Sequence, residues 1–128
     1  MSEHPNVTIL REMHKAMQDG GPEAMIKTVA DDVVWHEIGS SEPVRGKAAL
    51  LARWAAMGDP NTDFRMELHD VVANDDHAVE LVSVTIKGMG GRDFSYRTAE
   101  IYHMRDGKIT ERWAFSDDTD AINKFFGS

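Results

Sequence analysis

The sequence predicts an α+β fold in which helices cover one face of an antiparallel β-sheet. Apolar residues recur at helical spacing up to Met57, and from Phe64 onward the period falls to two. The helical segments come first and the strands follow, joined by hairpin turns, which is the order of a layered α+β domain.

Asn6 caps a first helix running to about Asp19, with Val7, Leu10, Met13, His14 and Met17 on one stripe. Gly20-Gly21 ends it. Pro22 suits the first turn of a second helix, in which Met25, Ile26 and Val29 are apolar. Asp31-Asp32 breaks that pattern, and Val33-Val34-Trp35-His36-Glu37 reads as a short strand. A third helix from Lys47 to about Met57 buries Leu50, Leu51, Trp54 and Met57 until Gly58-Asp59-Pro60 stops it. Phe64 to Ala73 is a strand with Phe64, Met66, Leu68 and Val72 on one side, and Asn74-Asp75-Asp76 is a turn. Further strands span His77 to Lys87, Asp93 to Met104 and Lys108 to Asp117, with a flexible connection at Gly88 to Arg92. Thr119 to Phe126 forms a short closing helix with Ile122, Phe125 and Phe126 apolar. There is no internal repeat or linker, so residues 1–128 read as one domain.

Turn chemistry sets the expected register of the last hairpin. Arg105-Asp106-Gly107 resembles a three-residue loop with Gly in the left-handed position. His103 then faces Ile109, Ile101 faces Glu111, Ala99 faces Trp113 and Arg97 faces Phe115. One face carries Ala99, Ile101, Ile109, Trp113 and Phe115, and the other Thr98, Glu100, Tyr102, Thr110 and Arg112. The apolar face is expected under the helices, with Arg97, Glu111 and Asp117 among its members and Arg97 paired with Glu111.

The chain has 128 residues, 41% hydrophobic and 28% charged, a globular composition. Its net charge of −8, from 22 acidic and 14 basic residues, speaks against nucleic acid or an anionic membrane as partner. With no Cys, disulfides, thiolate chemistry and Cys-based metal sites are excluded. The six histidines lack metal-ligand spacing, and no phosphate loop opens a helix, so neither metal nor cofactor is expected. No apolar run is long enough to cross a membrane, and the N-terminus lacks the pattern of a signal peptide, so the expected location is the cytoplasm.

Two carboxylates are candidate acids or bases. Strand parity puts Glu37 beside Trp35, where desolvation would raise its pKa, and no basic residue follows before Arg45. The other reading is a solvated strand end. Asp117 closes the last strand after Trp113-Ala114-Phe115-Ser116, either as an acid or base among aromatics or as a helix cap.

The run Ala30-Asp31-Asp32, Val33 to Glu37, Ser41-Glu42-Pro43 and Gly46 resembles the ketosteroid isomerase family. The hairpin at Met104 to Ile109 and the tail Glu111-Arg112-Trp113 to Asp117 resemble the SnoaL-like polyketide cyclases of the nuclear transport factor 2-like superfamily. The resemblance implies a cone: a curved antiparallel sheet packed on three N-terminal helices, with a pocket between. It places Glu37 at the isomerases' proton-shuttling position and Asp117 at the acid or base of the cyclase group. Met13 falls where the isomerases have a hydrogen-bonding Tyr. It also implies a small-molecule pocket shaped by Met13, Trp35, Trp54, Arg97, Trp113 and Phe115. The reaction would be metal-free acid–base chemistry on a small, mostly apolar carbonyl or hydroxyl compound: isomerisation, cyclisation or dehydration. The same fold also serves as a non-catalytic binding or dimerisation module. By the same analogy the chain is expected to be a homodimer through the outer sheet face, assigned Val82, Val84, Tyr96, Tyr102 and Ala114.

Overall fold

Pro5 takes the first position of helix α1 (Pro5–Gly20), one residue ahead of the predicted cap. The cap is His4, whose Nδ1 accepts a hydrogen bond from the Asn6 amide at 3.1 Å. Asn6 donates instead to the carbonyls of Asn74 and Asp75, which ties the start of the helix to a distant turn. This computed structural model describes residues 3–57 and 62–127. The predicted Gly58-Asp59-Pro60 stop and the side chain of Met57 lie outside the described residues.

The second helix is a single turn, α2 (Pro22–Met25), followed by a 3₁₀ turn (Ile26–Thr28). Strand β1 (Val29–Trp35) begins at Val29, earlier than the predicted Val33, and Glu37 falls beyond its end. Val29 is extended because it pairs with Ile109, and both are fully buried. The exposed Asp31-Asp32 pair is an irregularity inside this strand, not its boundary. β2 (Val44–Arg45) and α3 (Lys47–Met57) follow, then β3 (Asp63–Ala73), β4 (His77–Met89), β5 (Arg92–Arg105), β6 (Lys108–Ser116) and α4 (Thr119–Gly127).

The six strands form one curved, unclosed sheet in the order β2-β1-β6-β5-β4-β3. All pairings are antiparallel except β1 with β6, which is parallel. α1 and α3 lie in the concavity. Val7, Leu10 and Met13 of α1 and Leu50 of α3 pack with Val29, Val33, Trp35, Tyr102, Met104 and Ile109 of the sheet. A second cluster, Val82, Val84 and Ile86 of β4, is covered by Phe125 of α4.

The last hairpin corrects the expected register. Arg105 pairs with Lys108 around a two-residue turn, and Asp106 and Gly107 both have positive φ, 51° and 75°. That is the primed turn suited to strand twist. Met104 then pairs with Ile109, but His103 pairs with Glu111, so Thr110 is a bulge residue. Its hydroxyl donates to the His103 carbonyl at 3.2 Å. Beyond the bulge Ile101 faces Trp113 and Ala99 faces Phe115. The two faces keep the expected membership there, because the bulge restores the parity the short turn would have lost. The helices, however, cover the other face: Thr98, Glu100, Tyr102 and Arg112 are buried, while Phe115 is 62% exposed. A bulge in β3 between Leu68 and Asp70 likewise turns Val71 inward and leaves Val72 59% exposed.

Candidate active site

The inward face of β4 and β5 is apolar at both ends and charged in the middle. Along β4 the inward series is Ala78, Glu80, Val82, Val84 and Ile86, and Glu80 is fully buried. On β5, Glu100 lies opposite Glu80, between Thr98 and Tyr102. Two carboxylates in a closed interior are prohibitive unless cations and donors meet them.

The structure supplies both. Arg112 on β6 donates to Glu100 Oε1 through Nε and Nη2 at 3.2 and 3.1 Å. Its Nη1 donates to the carbonyl of His36 at 2.8 Å, and its guanidinium lies 4.8 Å from the Trp35 ring centre. Thr98 donates to the other Glu100 oxygen at 3.1 Å. The Tyr102 hydroxyl sits between the carboxylates, 2.9 Å from Glu80 and 3.2 Å from Glu100. His14 of α1 closes the chain, with Nε2 2.8 Å from Glu80. Its Nδ1 is buried with no hydrogen-bond partner among the described residues.

Burial raises the Glu80 carboxyl above its ordinary value. The hydrogen bond and charge of His14 oppose that rise without cancelling it. Burial by itself would lower His14, but the hydrogen bond and charge of Glu80, joined by Glu100, outweigh it and raise the imidazole. The pair therefore acts as a unit that keeps its proton to higher pH than a free imidazole does. Burial, followed by the charges of Glu100 and Glu80, holds the Tyr102 phenol well above the usual range. With His14 protonated, two carboxylates face two cations and the interior is neutral. Chemically, the array can store a proton on a carboxylate–imidazole pair and present a phenol as a fixed donor.

The structure locates the sequence-predicted residues as follows. Trp35 and Met13 are in the core, and Trp54 meets Trp35 edge to face at 5.4 Å. Glu37, beyond β1, accepts from Arg53 Nε at 3.1 and 3.2 Å with its side chain 26% exposed. A cation reached through the fold, sixteen positions on, thus stands where the local sequence offered none. Asp117 is exposed and pairs with Arg97, which donates to it at 3.3 Å. The backbone hydrogen bond from Arg97 is the main cause holding the Asp117 carboxyl low. The expected buried Arg97–Glu111 pair does not form. Glu111 meets His36 at 2.7 Å on the outer face, where Trp113 stacks on His36. Arg97, Glu111, Trp113, Phe115 and Asp117 are therefore outside the cone, because the polar face is the covered one. Neither Glu37 nor Asp117 touches the interior array.

The interior array itself is closed off from solvent, with His14, Glu80, Glu100 and Tyr102 all buried. The two best-formed depressions among the described residues lie elsewhere, one at Val72–Asn74 and His77–Val79 and one at Ile26, Asp31, Lys47, Ala48 and Leu51. No three His, Asp or Glu side chains converge as metal ligands among the described residues. No helix among them is long and apolar enough to cross a membrane. Sequence reasoning missed His14, Glu80, Glu100, Tyr102 and Arg112 as a group. Two signals were present: a histidine in the apolar stripe of α1, and a glutamate in the apolar alternation of β4.

A cone of curved sheet around N-terminal helices, with its polar groups inside, defines a class of small-ligand folds. The chain matches the SnoaL-like domain over residues 10–112 and belongs to that family. Its fold is similar to that of an NTF2-like protein from Burkholderia pseudomallei (TM-score 0.81, 16% identity, 100% of both chains). It is also similar to an LEH-like epoxide hydrolase of M. tuberculosis (TM-score 0.74, 16% identity, 96% of both chains). A third is a Δ5-3-ketosteroid isomerase from Mycobacterium sp., with TM-score 0.70, 22% identity, and 87% of this chain against 92% of that one. A search of curated proteins gives no match.

The paired pKa shifts set the sign of a pH effect. A raised folded-state pKa gives His14 stability that is fully present below about pH 6.5 and lost as pH rises through the raised value. The raised Glu80 works in the same direction, since the folded chain binds more protons than the unfolded one. The urea midpoint should therefore fall between pH 6 and 9. In Glu80→Gln burial prevails at His14, and this contribution should change sign, being present above about pH 6.5 and lost as pH falls below it through the lowered folded-state value. Urea titrations of both proteins from about pH 4 to 9 check it.

Proposed function

We propose that the chain is a small-molecule enzyme that transfers protons with side chains alone, without metal or cofactor. Its substrate is a small, mostly apolar carbonyl or hydroxyl compound, and the reaction is an isomerisation, cyclisation or dehydration. The observation that carries this reading is the Glu80–His14 contact of 2.8 Å inside the cone, a carboxylate and an imidazole sharing a proton. Glu80 with His14 takes and returns the proton. Nδ1 of His14, without a hydrogen-bond partner among the described residues, is the ring nitrogen left for exchange with a substrate. Tyr102 steadies negative charge as a donor that stays protonated at neutral pH. Membership of the SnoaL-like family supports the reaction class, as do fold relatives named as an isomerase and an epoxide hydrolase.

A second reading, a non-catalytic ligand-binding module, is favoured by one fact: Glu80, Glu100, Tyr102 and Arg112 already satisfy one another. A panel of cyclic enones and β-hydroxy ketones, followed by ultraviolet absorbance, separates the two. Glu80→Gln should lower turnover about 10²–10⁴-fold, the usual worth of an acid–base group, with the circular dichroism spectrum retained. Turnover at the unaltered level in Glu80→Gln would remove the assignment.

The proposal includes a homodimer through the outer sheet face. Its members differ from those expected: Val82, Val84 and Tyr102 are buried inside, whereas Val72, Leu81 and Phe115 stand 59%, 43% and 62% exposed outside. Val79, Ile101 and Trp113 complete one row across four strands with Val72. Contiguous apolar surface of this kind marks an interface. Sedimentation should give a dimer at micromolar concentration and a monomer for Phe115→Glu. A monomeric unaltered chain would count against it.

A further inference from the structure

One residue past the end of β1, His36 grips three consecutive residues of β6. Its amide donates to the Arg112 carbonyl at 2.9 Å, and its own carbonyl accepts from Arg112 Nη1 at 2.8 Å. Its ring turns the other way. Nε2 donates to Glu111 at 2.7 Å, and the ring lies 7° from the plane of Trp113 with the centres 5.1 Å apart. Strand alternation explains the arrangement: Glu111 and Trp113 point outward from β6 and Arg112 points inward. His103 closes the outer side, edge to face on Trp113 at 4.8 Å and 3.7 Å from Glu111. The backbone of His36 thus serves the interior while its side chain sits on the outer face. Regular pairing of β1 with β6 ends at Trp35, so beyond it the ring contacts take over the role of the ladder.

What His36 holds is the fixed cation of the interior. Arg112 sends Nε and Nη2 to Glu100 and Nη1 to the His36 carbonyl, so its planar fork is fixed in rotation. That settles where the Tyr102 proton goes. A phenol has one proton and cannot donate to two carboxylates at once. Tyr102 lies 2.9 Å from Glu80 and 3.2 Å from Glu100. With Glu100 already covered by Arg112 and Thr98, the proton is left for Glu80, the nearer carboxylate. Slackening Arg112 would turn Tyr102 toward Glu100. Burial raises the Glu80 carboxyl, and the hydrogen bond from Tyr102 is one of the contacts that oppose the rise. Without it Glu80 is a stronger base and holds the proton on His14 to higher pH.

We propose that His36 is a positioning residue of the interior array. Clamped on the outer face by Glu111 and Trp113, it holds Arg112 on Glu100 and so leaves the Tyr102 proton to Glu80. It acts through Arg112 and touches neither Glu80 nor His14. The inference rests on the reading of Glu80 and His14 as the proton-handling pair. Its test uses no substrate, so either proposal can fail alone: absent turnover on the enone panel would remove the catalytic reading and leave the shifts below in place.

Two NMR measurements on the whole chain test it: nitrogen-15 titration of the His14 imidazole and hydrogen exchange at Arg112 Nε. His36→Ala should raise the His14 midpoint above that of the unaltered chain and speed exchange at Arg112 Nε. Glu111→Ala removes the clamp without altering an interior side chain or His36 itself, and should shift both in the same direction. It carries the test if His36→Ala does not fold. His36→Gln, whose amide can still donate to Glu111 and lie flat on Trp113, should return both to the unaltered values. A clamp that only adds stability would lower the urea midpoint and move neither. A His14 midpoint that stays in place in the folded variants overturns the proposal, whatever Arg112 does. So does a His36→Gln chain that behaves as His36→Ala does.

Discussion

The fold is organised around the neutralisation of Glu80 and Glu100 inside the cone. Each buried carboxylate would destabilise the chain by several kcal/mol if left alone, and each has one cation from a different element. Arg112 reaches Glu100 across the β5–β6 pairing, and His14 reaches Glu80 from the helix. Tyr102 ties the two halves together. The array therefore fixes the rotation of α1 on the sheet, since only one face of the helix carries His14 between Leu10 and Met17. It also requires Arg112 to point inward, and so requires a particular register of the last hairpin.

That register rests on one extra residue. The two-residue turn at Asp106-Gly107 alone would put the neighbours of Arg112 on the wrong side. The bulge at Thr110 adds the residue that turns Arg112 back toward Glu100. The β3 bulge has the matching effect at the other edge, turning Val71 into the core. Bulges also sharpen strand bending, so the same two irregularities contribute to the curvature that makes an interior.

This explains which parts of the structure could be read from the sequence. The helical stripe of α1, the third helix, the four long strands and the closing helix followed from periodicity, and the faces of β5 and β6 beyond the bulge were sorted correctly, whereas Ile109, expected beside Trp113, lies on the inner face with Met104. The choice between those faces was wrong for a physical reason. Apolar burial is the usual guide to the core, and here the apolar face, with Ile101, Trp113 and Phe115, looks outward while a charged face looks in. Local rules fail where an interior is built to hold polar groups. Bulges carry no single-residue signature either, so the parity of β3 beyond Leu68 and the change of face between Ile109 and Arg112 were illegible. Glu37 drew attention as a carboxylate beside a Trp, but its Arg53 partner comes from a helix whose approach no local pattern predicts. His14 and Glu80 were each visible as the polar member of an apolar series, yet their meeting is a tertiary fact.

The central claim is that Glu80 and His14 hold a proton together inside the folded chain. The most direct measurement is the titration of the His14 imidazole by nitrogen-15 NMR in the native protein. The account predicts that His14 stays protonated above the midpoint of a free histidine, about 6.5. A His14 that titrates at or below that value would contradict it, since burial would then have overcome the carboxylate and the pair would carry no shared proton.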